Sequence, residues 1–226
     1  MCAIYKKELR VYLTSMTGYI FMAVLLAVTS LYYVANCLVS GYPVFGAVLS
    51  SVYFVLLIIV PVLTMRSMAE EKRQKTDQLL MTAPVSLWKI VLGKYLAMVT
   101  IFLIPMAILC LYPLILLQFG SVSLPMAYTA ILGDTLFGAA CLGIGLFLSA
   151  LTESQVIAAV LTFGVLFFLN MASGIANVIG ASGVLASVLN ALCIYQPFIN
   201  FVQGMFDLTG VLYYVTVIIL SLFLTV

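Results

Sequence analysis

The sequence predicts an all-α polytopic membrane protein with six transmembrane helices, and three observations lead to that fold class. Hydrophobic residues make up 65% of the 226 residues and charged residues only 7%. The mean hydropathy is +1.29, a value typical of membrane proteins rather than soluble domains. Nine of the 16 charged residues lie in the segment 66–94, between two long apolar runs. Because one ion at the bilayer centre costs roughly 2.5–3.5 kcal/mol, we expect this segment to face water.

The chain begins with a predicted interfacial helix over residues 3–16. Apolar side chains recur there at helical spacing on one face, while Lys6, Lys7 and Arg10 share the other face. A basic amphipathic helix of this kind lies flat on the membrane surface. A disordered charged tail is the alternative interpretation.

Six apolar runs are long enough to cross the hydrocarbon layer, which takes about 20 helical residues. They cover approximately residues 18–39, 47–65, 95–117, 128–150, 155–175 and 209–226. Every Lys and Arg lies at or before Lys94, either in the N-terminal arm or in the segment 66–94. The positive-inside rule therefore places both segments in the cytoplasm. The predicted location is the cell (inner) membrane, with a cytoplasmic N-terminus.

The segment 176–208 is apolar but is interrupted by glycine, proline, asparagine and glutamine. Its longest uninterrupted apolar piece is too short to cross a bilayer. Two short helices that enter the outer leaflet and return fit this pattern better than a seventh span. Non-helical backbone at that depth has to be buried in protein or line a cavity.

The charged segment 66–94 has the pattern of a short solvated helix. Glu71 and Lys75 are four residues apart, as are Arg73 and Asp77, and such pairs support an exposed helix. Pro84 then ends the element, because the residue before proline avoids helical geometry. The length and mixed charge exceed what membrane topology requires, so a docking surface for a cytosolic protein is favoured over a plain solvated loop.

Two lysines follow at the base of the third predicted span, next to Trp88. We expect Lys89 and Lys94 to extend their side chains to the membrane surface.

The fourth predicted span carries polar and small residues. Asp134 is a candidate for the substrate path, since a carboxylate within a membrane is a functional candidate by default; an interfacial depth is the alternative. Asn170 in the fifth span is a second candidate. Small residues of the fourth span at helical spacing, among them Gly143 and Gly145, allow close helix packing. They are compatible with a dimer face or with packing inside one chain.

Several classes of function are excluded by what the sequence lacks. It has no histidine, and its five cysteines are scattered without a CxxC spacing, so neither a metal site nor a redox pair is predicted. Trp88 stands where a P-loop ending in Gly93-Lys94 needs its first glycine. The chain is therefore predicted to hydrolyse no ATP and to bind no cofactor itself. It has no basic surface for nucleic acid.

Four stretches carry a resemblance to a known family: Lys6-Lys7-Glu8-Leu9 and the segments 61–94, 142–167 and 197–214. Together they resemble the permease subunits of ABC-2 type exporters, most closely the branch that includes the gliding-motility-associated permease. The match runs almost end to end, so residues 1–226 are expected to form a single ABC-2 transmembrane domain. Lys75 and Gln78 depart from the family pattern, where a glycine and an acid are usual.

The resemblance implies an N-terminal interface helix, a coupling helix in the segment 66–94 and re-entrant helices before the last span. It also implies a cytosolic ABC ATP-binding subunit, which holds ATP and Mg²⁺ and docks on the coupling helix. A second permease, identical or homologous, would complete a dimer around a central path. The residues implied in coupling to the ATPase are Lys7, Glu8, Glu70, Glu71, Arg73 and Thr76.

As polar residues within predicted spans, Asp134 and Asn170 are the candidates for the substrate path. Phe198, Phe201 and Asp207 belong to an external gate formed by the segment 176–208, although Asp207 also has the position of a helix cap. The alternative function is a membrane protein without such a partner, either a lipid-modifying enzyme or a channel. No cluster of polar residues at one depth and no polar stripe along one helix favours that alternative.

Overall fold

The computed structural model describes residues 2–39, 41, 44–73, 86–118, 123–179 and 184–226. Those residues form helices joined by short connections, with no strand among them, which confirms the all-α fold class. In chain order the helices are α1 (Cys2–Thr14), α2 (Met16–Tyr33), α3 (Phe45–Thr64), α4 (Ala69–Arg73), α5 (Leu87–Leu109), α6 (Tyr112–Leu116), α7 (Leu124–Leu151), α8 (Gln155–Ile179), α9 (Val184–Leu192), α10 (Tyr195–Val202) and α11 (Leu208–Thr225). A π-helical turn, Val34–Val39, extends α2.

Six helices of the described residues are long and apolar enough to cross a membrane, as the sequence predicts. Their bounds agree with the predicted spans to within a few residues, except for the third. Helix α5 begins at Leu87 rather than near residue 95, so it takes in both Lys89 and Lys94. The last part of the predicted cytoplasmic segment is thus a continuation of the spanning helix. The reason is that no proline lies between Pro84 and Pro105, so nothing of that kind interrupts the helix at residues 87–94.

The first two helices form a sharp corner at Ser15. The Ser15 hydroxyl accepts a hydrogen bond from the backbone amide of Thr17 and so caps α2. Gly18 lies against the carbonyl of Tyr12, where a Cβ atom would collide. A glycine is therefore needed for α1 to fold back closely at the start of α2.

Helix α7 is the centre of the bundle. About 72% of its most apolar window is buried inside the chain, compared with 22% for α2 and for α11. A Cβ on Gly143 would lie 2.5 Å from the hydroxyl of Ser221 in α11, and one on Gly145 would lie 2.6 Å from that of Thr64 in α3. The small residues of the fourth span therefore serve packing inside the chain, which decides between the two alternatives left open by the sequence.

The two ends of the bundle differ in construction. At one end, Ser149 near the end of α7 accepts hydrogen bonds from the backbone amides of Met68 and Ala69, which fixes the turn between α3 and α4. At the other end, α10 lies against α3 and α7, with Gly46 packed on Val202, while α9 lies against α8. Two short helices thus follow α8, as expected; their entry into the membrane stays a prediction.

Candidate functional site

The end of the bundle near α4 contains a buried lysine. Lys94 in α5 is only 1% exposed. Its ammonium group lies 2.7 Å from Glu71 Oε1, 3.0 Å from the carbonyl of Ser67 and 3.3 Å from Glu8 Oε1. An ammonium group has three protons to donate, so these three oxygens satisfy it. The prediction that Lys94 extends to the membrane surface is wrong, because its charge is neutralised inside the protein.

These groups come from four elements and define what we call the Lys94 cluster: Lys94, Glu8, Glu71, the Ser67 carbonyl and Lys7. Glu8 lies on α1, Glu71 on α4, and Ser67 in the turn between α3 and α4. Lys7 lies at the rim, with 61% of its side chain exposed, 3.6 Å from Glu8 and 3.9 Å from Glu71. The cluster therefore joins α1, α4 and α5 through charge-assisted hydrogen bonds, which are the strong kind.

The position of Glu8 follows from close packing of α1 on α5. A Cβ on Gly93 would lie 3.1 Å from Ile4 Cγ2, so the absence of a side chain at residue 93 lets α1 approach. The hydroxyl groups of Tyr5 and Thr100 are 3.0 Å apart and join the same two helices further along. Glu8 follows Ile4 by one helical turn and therefore faces Lys94, the neighbour of Gly93.

A cleft of about 300 Å³ lies beside the cluster, between α1 and the turn from α3 to α4. Its walls include Glu8 and Glu70, and Arg66 Nε lies 3.3 Å from Glu70 Oε2. Burial and then the nearby Glu8 carboxylate raise the pKa of the Tyr12 hydroxyl in this wall. Tyr12 therefore remains a neutral hydrogen-bonding group beside the acidic side chains.

Four of the six residues predicted for coupling meet at this end of the bundle. Lys7, Glu8 and Glu71 belong to the Lys94 cluster, and Glu70 lies in the wall of the adjacent cleft. Arg73 is exposed at the last residue of α4. Thr76 lies outside the described residues, as do Lys75, Asp77 and Pro84.

Sequence reasoning missed two members of the cluster. Lys94 was predicted to serve membrane anchoring alone, and nothing indicated the Ser67 carbonyl. The signal for Lys94 was its place directly after Gly93, inside a run whose flanking residues are apolar. A lysine in such a place is expected to have a partner, because an unpaired charge is costly to bury.

The two candidates for the substrate path are both buried but lie on different helices. Asp134 is 3% exposed in α7. Asn170 is 6% exposed in α8, where its Nδ2 donates to the carbonyl of Leu166. Its Oδ1 has no hydrogen-bond partner among the described residues. The depth of Asp134 in the membrane stays a prediction.

The residues predicted for an external gate lie together at the opposite end. Phe198 and Phe201 are fully buried, with the Phe198 ring 5.6 Å from that of Phe137 and Phe201 packed on Gly133. Asp207 caps α11 by accepting a hydrogen bond of 2.9 Å from the Thr209 amide. The two aromatic side chains thus pack within the chain.

Asp207 has a second hydrogen-bond donor. Asn200 Nδ2 donates to its Oδ2 at 3.2 Å. The bond from the Thr209 amide and, to a smaller extent, this one hold the pKa of Asp207 below its ordinary value.

Comparison with known proteins decides the family. The family model described as ABC-2 family transporter protein matches residues 8–226. The chain belongs to the ABC-2 transporter family. None of the curated proteins with which the chain was compared is a match. Family membership and the six apolar helices together make the chain a multi-pass membrane permease of an ABC transporter.

Membership of the ABC-2 transporter family also indicates which subunit carries the ATPase. Permeases of this family are membrane subunits rather than the ATPase itself, and membership implies pairing with an ABC ATP-binding subunit. Within the part of the chain that the structure describes, no group of three His, Cys, Asp or Glu residues is placed to hold a metal ion.

Proposed function

We propose that this permease couples ATP hydrolysis on a separate, cytosolic ABC ATP-binding subunit to export of a substrate. ATP and Mg²⁺ would be held by that subunit, which docks on α4 and α1. The observation that carries the proposal is the Lys94 cluster, since it ties both docking helices to the spanning helix α5. The resemblance to the gliding-motility branch is part of the same proposal.

The cluster gives the proposed docking surface a way to act on the membrane domain. A displacement of α4 pulls on Glu71, and Lys94 passes that displacement to α5 and, through Glu8, to α1. Such rigid-body gating requires nucleotide to bind the two states of the transporter differently. Asp134 and Asn170 are the proposed residues of the substrate path. Phe198, Phe201 and Asp207 are the proposed residues of the external gate.

A second permease, identical or homologous, is the proposed partner within the membrane. Helices α2 and α8 leave most of their apolar surface uncovered by the chain, with only 22% and 28% of their most apolar windows buried. Those surfaces are available to lipid or to a second permease. Distinguishing the two requires a cross-link between copies, for example through Val160→Cys on α8, where the native side chain is 65% exposed.

The proposed orientation places the Lys94 cluster in the cytoplasm of a cell with an inner membrane. It rests on the positive-inside rule, because all nine Lys and Arg residues lie at or before Lys94. Labelling of Arg73→Cys by a membrane-impermeant thiol reagent tests it. We expect labelling only in inverted vesicles, and labelling in intact cells would contradict the orientation.

The docking proposal is tested by charge reversal at the exposed side of the site. In the triple variant Lys7→Glu, Glu70→Lys and Arg73→Glu, we expect the proposed ABC ATP-binding subunit to bind weakly and to lose its stimulated ATPase activity. Lys94, Glu8 and Glu71 are unchanged in this variant, so the thermal midpoint of the purified permease should change little.

Glu153→Lys provides a matched control. It reverses an exposed charge in the turn after α7, at the same end of the bundle. We expect this variant to bind and stimulate the ATPase as the unmodified permease does. Unchanged binding and stimulation in the triple variant would refute docking at this site.

A further inference from the structure

A cavity beside Asp207 and an apolar groove meet at Tyr213, which lines both. We call the first the polar cavity after the amide and carboxylate side chains in its wall, although most of its surface is apolar. The polar cavity, about 200 Å³, lies at the end of the bundle opposite the Lys94 cluster. The apolar groove, about 230 Å³, lies between α7, α8 and α11. Leu192 and Ile194 line the groove while Cys193 between them lines the cavity. The two spaces are therefore neighbours, and one elongated molecule can occupy both.

The groove extends along α11 away from the polar cavity. Tyr213, Val217, Leu220 and Leu224 recur every three or four residues on one face of that helix and all line it. They extend over about 16 Å of helix at 1.5 Å per residue. Ile144 of α7 and Leu169 of α8 belong to the facing walls. A long, almost wholly apolar groove in a membrane domain fits a hydrocarbon chain and offers nothing to bind a polar solute.

The polar cavity carries neutral amides and one carboxylate. Asn190, Gln196, Asn200 and Asp207 all line it. The sequence contains no Lys or Arg beyond residue 94, so no cation of this part of the chain compensates Asp207. Its low pKa keeps the carboxylate charged at neutral pH. Its oxygens accept hydrogen bonds from Asn200 and from the Thr209 amide, and the Thr209 hydroxyl and the Gly210 amide also favour its charged form.

From this juxtaposition we infer that the permease binds a phospholipid whose headgroup carries a primary amine. The ammonium group is bound by Asp207 and the surrounding amides, and one acyl chain lies in the groove between α7, α8 and α11. A primary ammonium donates hydrogen bonds to the carboxylate, whereas a quaternary ammonium does not and an anionic headgroup is repelled. This site is formed by one chain and does not depend on the proposed coupling to ATP hydrolysis.

The experiment compares three lipids that differ in their headgroup. The full-length permease is reconstituted in nanodiscs with equal amounts of phosphatidylethanolamine, phosphatidylcholine and phosphatidylglycerol, and native mass spectrometry measures which lipid it retains. We expect preferential retention of phosphatidylethanolamine. In Asp207→Asn that preference should fall about tenfold, the effect of losing one charge-assisted hydrogen bond. Asparagine caps helices as well as aspartate does, so this variant keeps the start of α11.

A second pair of variants tests the groove. Val217→Phe fills it and should reduce retention of phosphatidylethanolamine. Val215→Phe, the same substitution at an exposed position outside the groove, should leave retention unchanged.

Equal retention of the three lipids, or an unchanged preference in Asp207→Asn, overturns the inference. So does equal behaviour of the two phenylalanine variants. A disulfide cross-link between two copies through Leu220→Cys also overturns it, since a second permease would then cover the groove.

Discussion

The two ends of the helix bundle are held together by different interactions. At the end near α4, a buried ammonium group is surrounded by oxygens of Glu71, Ser67 and Glu8. At the end near α10, the described contacts are mainly packed rings, with Phe198 and Phe201 fully buried. Because lipid is as apolar as a protein core, helices in a membrane associate by close packing and by polar contacts rather than by the hydrophobic effect. This permease uses mainly polar contacts at one end and mainly packing at the other.

The difference bears on how each end can move. Charge-assisted hydrogen bonds keep their partners together while the elements shift as one body, which suits transmission of force. Packed rings separate without leaving an unpaired charge. An opening at the α10 end therefore costs only the lost packing contacts and the formation of a cavity. This agrees with the proposed roles of the two ends as a coupling site and an external gate.

The largest effect is expected from removing the buried ammonium group. Lys94→Met leaves the buried Glu8 and the partly buried Glu71 without their main partner, which costs about 3–5 kcal/mol. The thermal midpoint of the purified permease, measured in detergent, should fall sharply. Lys89→Met, an exposed lysine of the same helix, is the control and should behave as the unmodified protein. Equal midpoints for the two variants would show that the cluster does not stabilise the fold.

A smaller effect is expected from emptying the packed end. Phe201→Ala removes a fully buried ring that packs on Gly133. In water-soluble cores such a change costs about 3–5 kcal/mol, but part of that is transfer from water, which a lipid environment does not supply. We therefore expect the thermal midpoint of Phe201→Ala to lie below that of the unmodified permease and above that of Lys94→Met. Phe206→Ala, where the native ring is 60% exposed, serves as control, and the reverse order of effects would break the comparison.

Within the Lys94 cluster itself, the exposed member should matter least. Lys7 has 61% of its side chain exposed and lies 3.6 and 3.9 Å from its two carboxylates. Exposed ion pairs contribute about 0.2–1 kcal/mol, so Lys7→Ala should lower the midpoint slightly and less at high salt. The measurement is a pair of melting curves at low and high ionic strength. A fall in midpoint as large as that of Lys94→Met would mean that burial does not determine how much these ion pairs stabilise the protein.

The smallest effect concerns pH at the α10 end. The hydrogen bond from the Thr209 amide holds the pKa of Asp207 below its ordinary value of 3.8. The charged form is therefore favoured by folding, and its stabilisation is complete above that value and is lost as the pH falls through the lowered pKa. Asp207→Asn keeps a capping side chain but cannot titrate. Below pH 3.8 the difference in midpoint between the two proteins should change, while a constant difference would exclude a role of the charge.

Several features could be read from local patterns alone. Span number follows from hydropathy, because each apolar run must cover the same hydrocarbon thickness. The cap at Asp207 depends on residues two positions apart, and the corner before the second helix is likewise local. The third span was found, but its helix begins earlier than predicted, because the positive charge of Lys94 counts against membrane burial when its partners are unknown.

Other features depend on contacts between distant parts of the chain. Lys94 and Glu8 are 86 residues apart, and no spacing rule connects them. Gly143 and Gly145 have the same pattern whether they serve a dimer face or a chain interior, and only their neighbours Ser221 and Thr64 distinguish the two. The small side chains therefore limited the fourth span to two kinds of interface, and the residues that contact Gly143 and Gly145 showed which of the two is present.

The sequence by itself determined the all-α class, the six spans and the concentration of charge at one end, because these depend on local hydropathy and on the cost of burying ions. Only the tertiary structure decided that Lys94 is enclosed by Glu8, Glu71 and Ser67 rather than extended to the membrane surface. The physical reason is that a buried charge is tolerated only where its partners are brought to it, and the folded arrangement of α1, α4 and α5 supplies them.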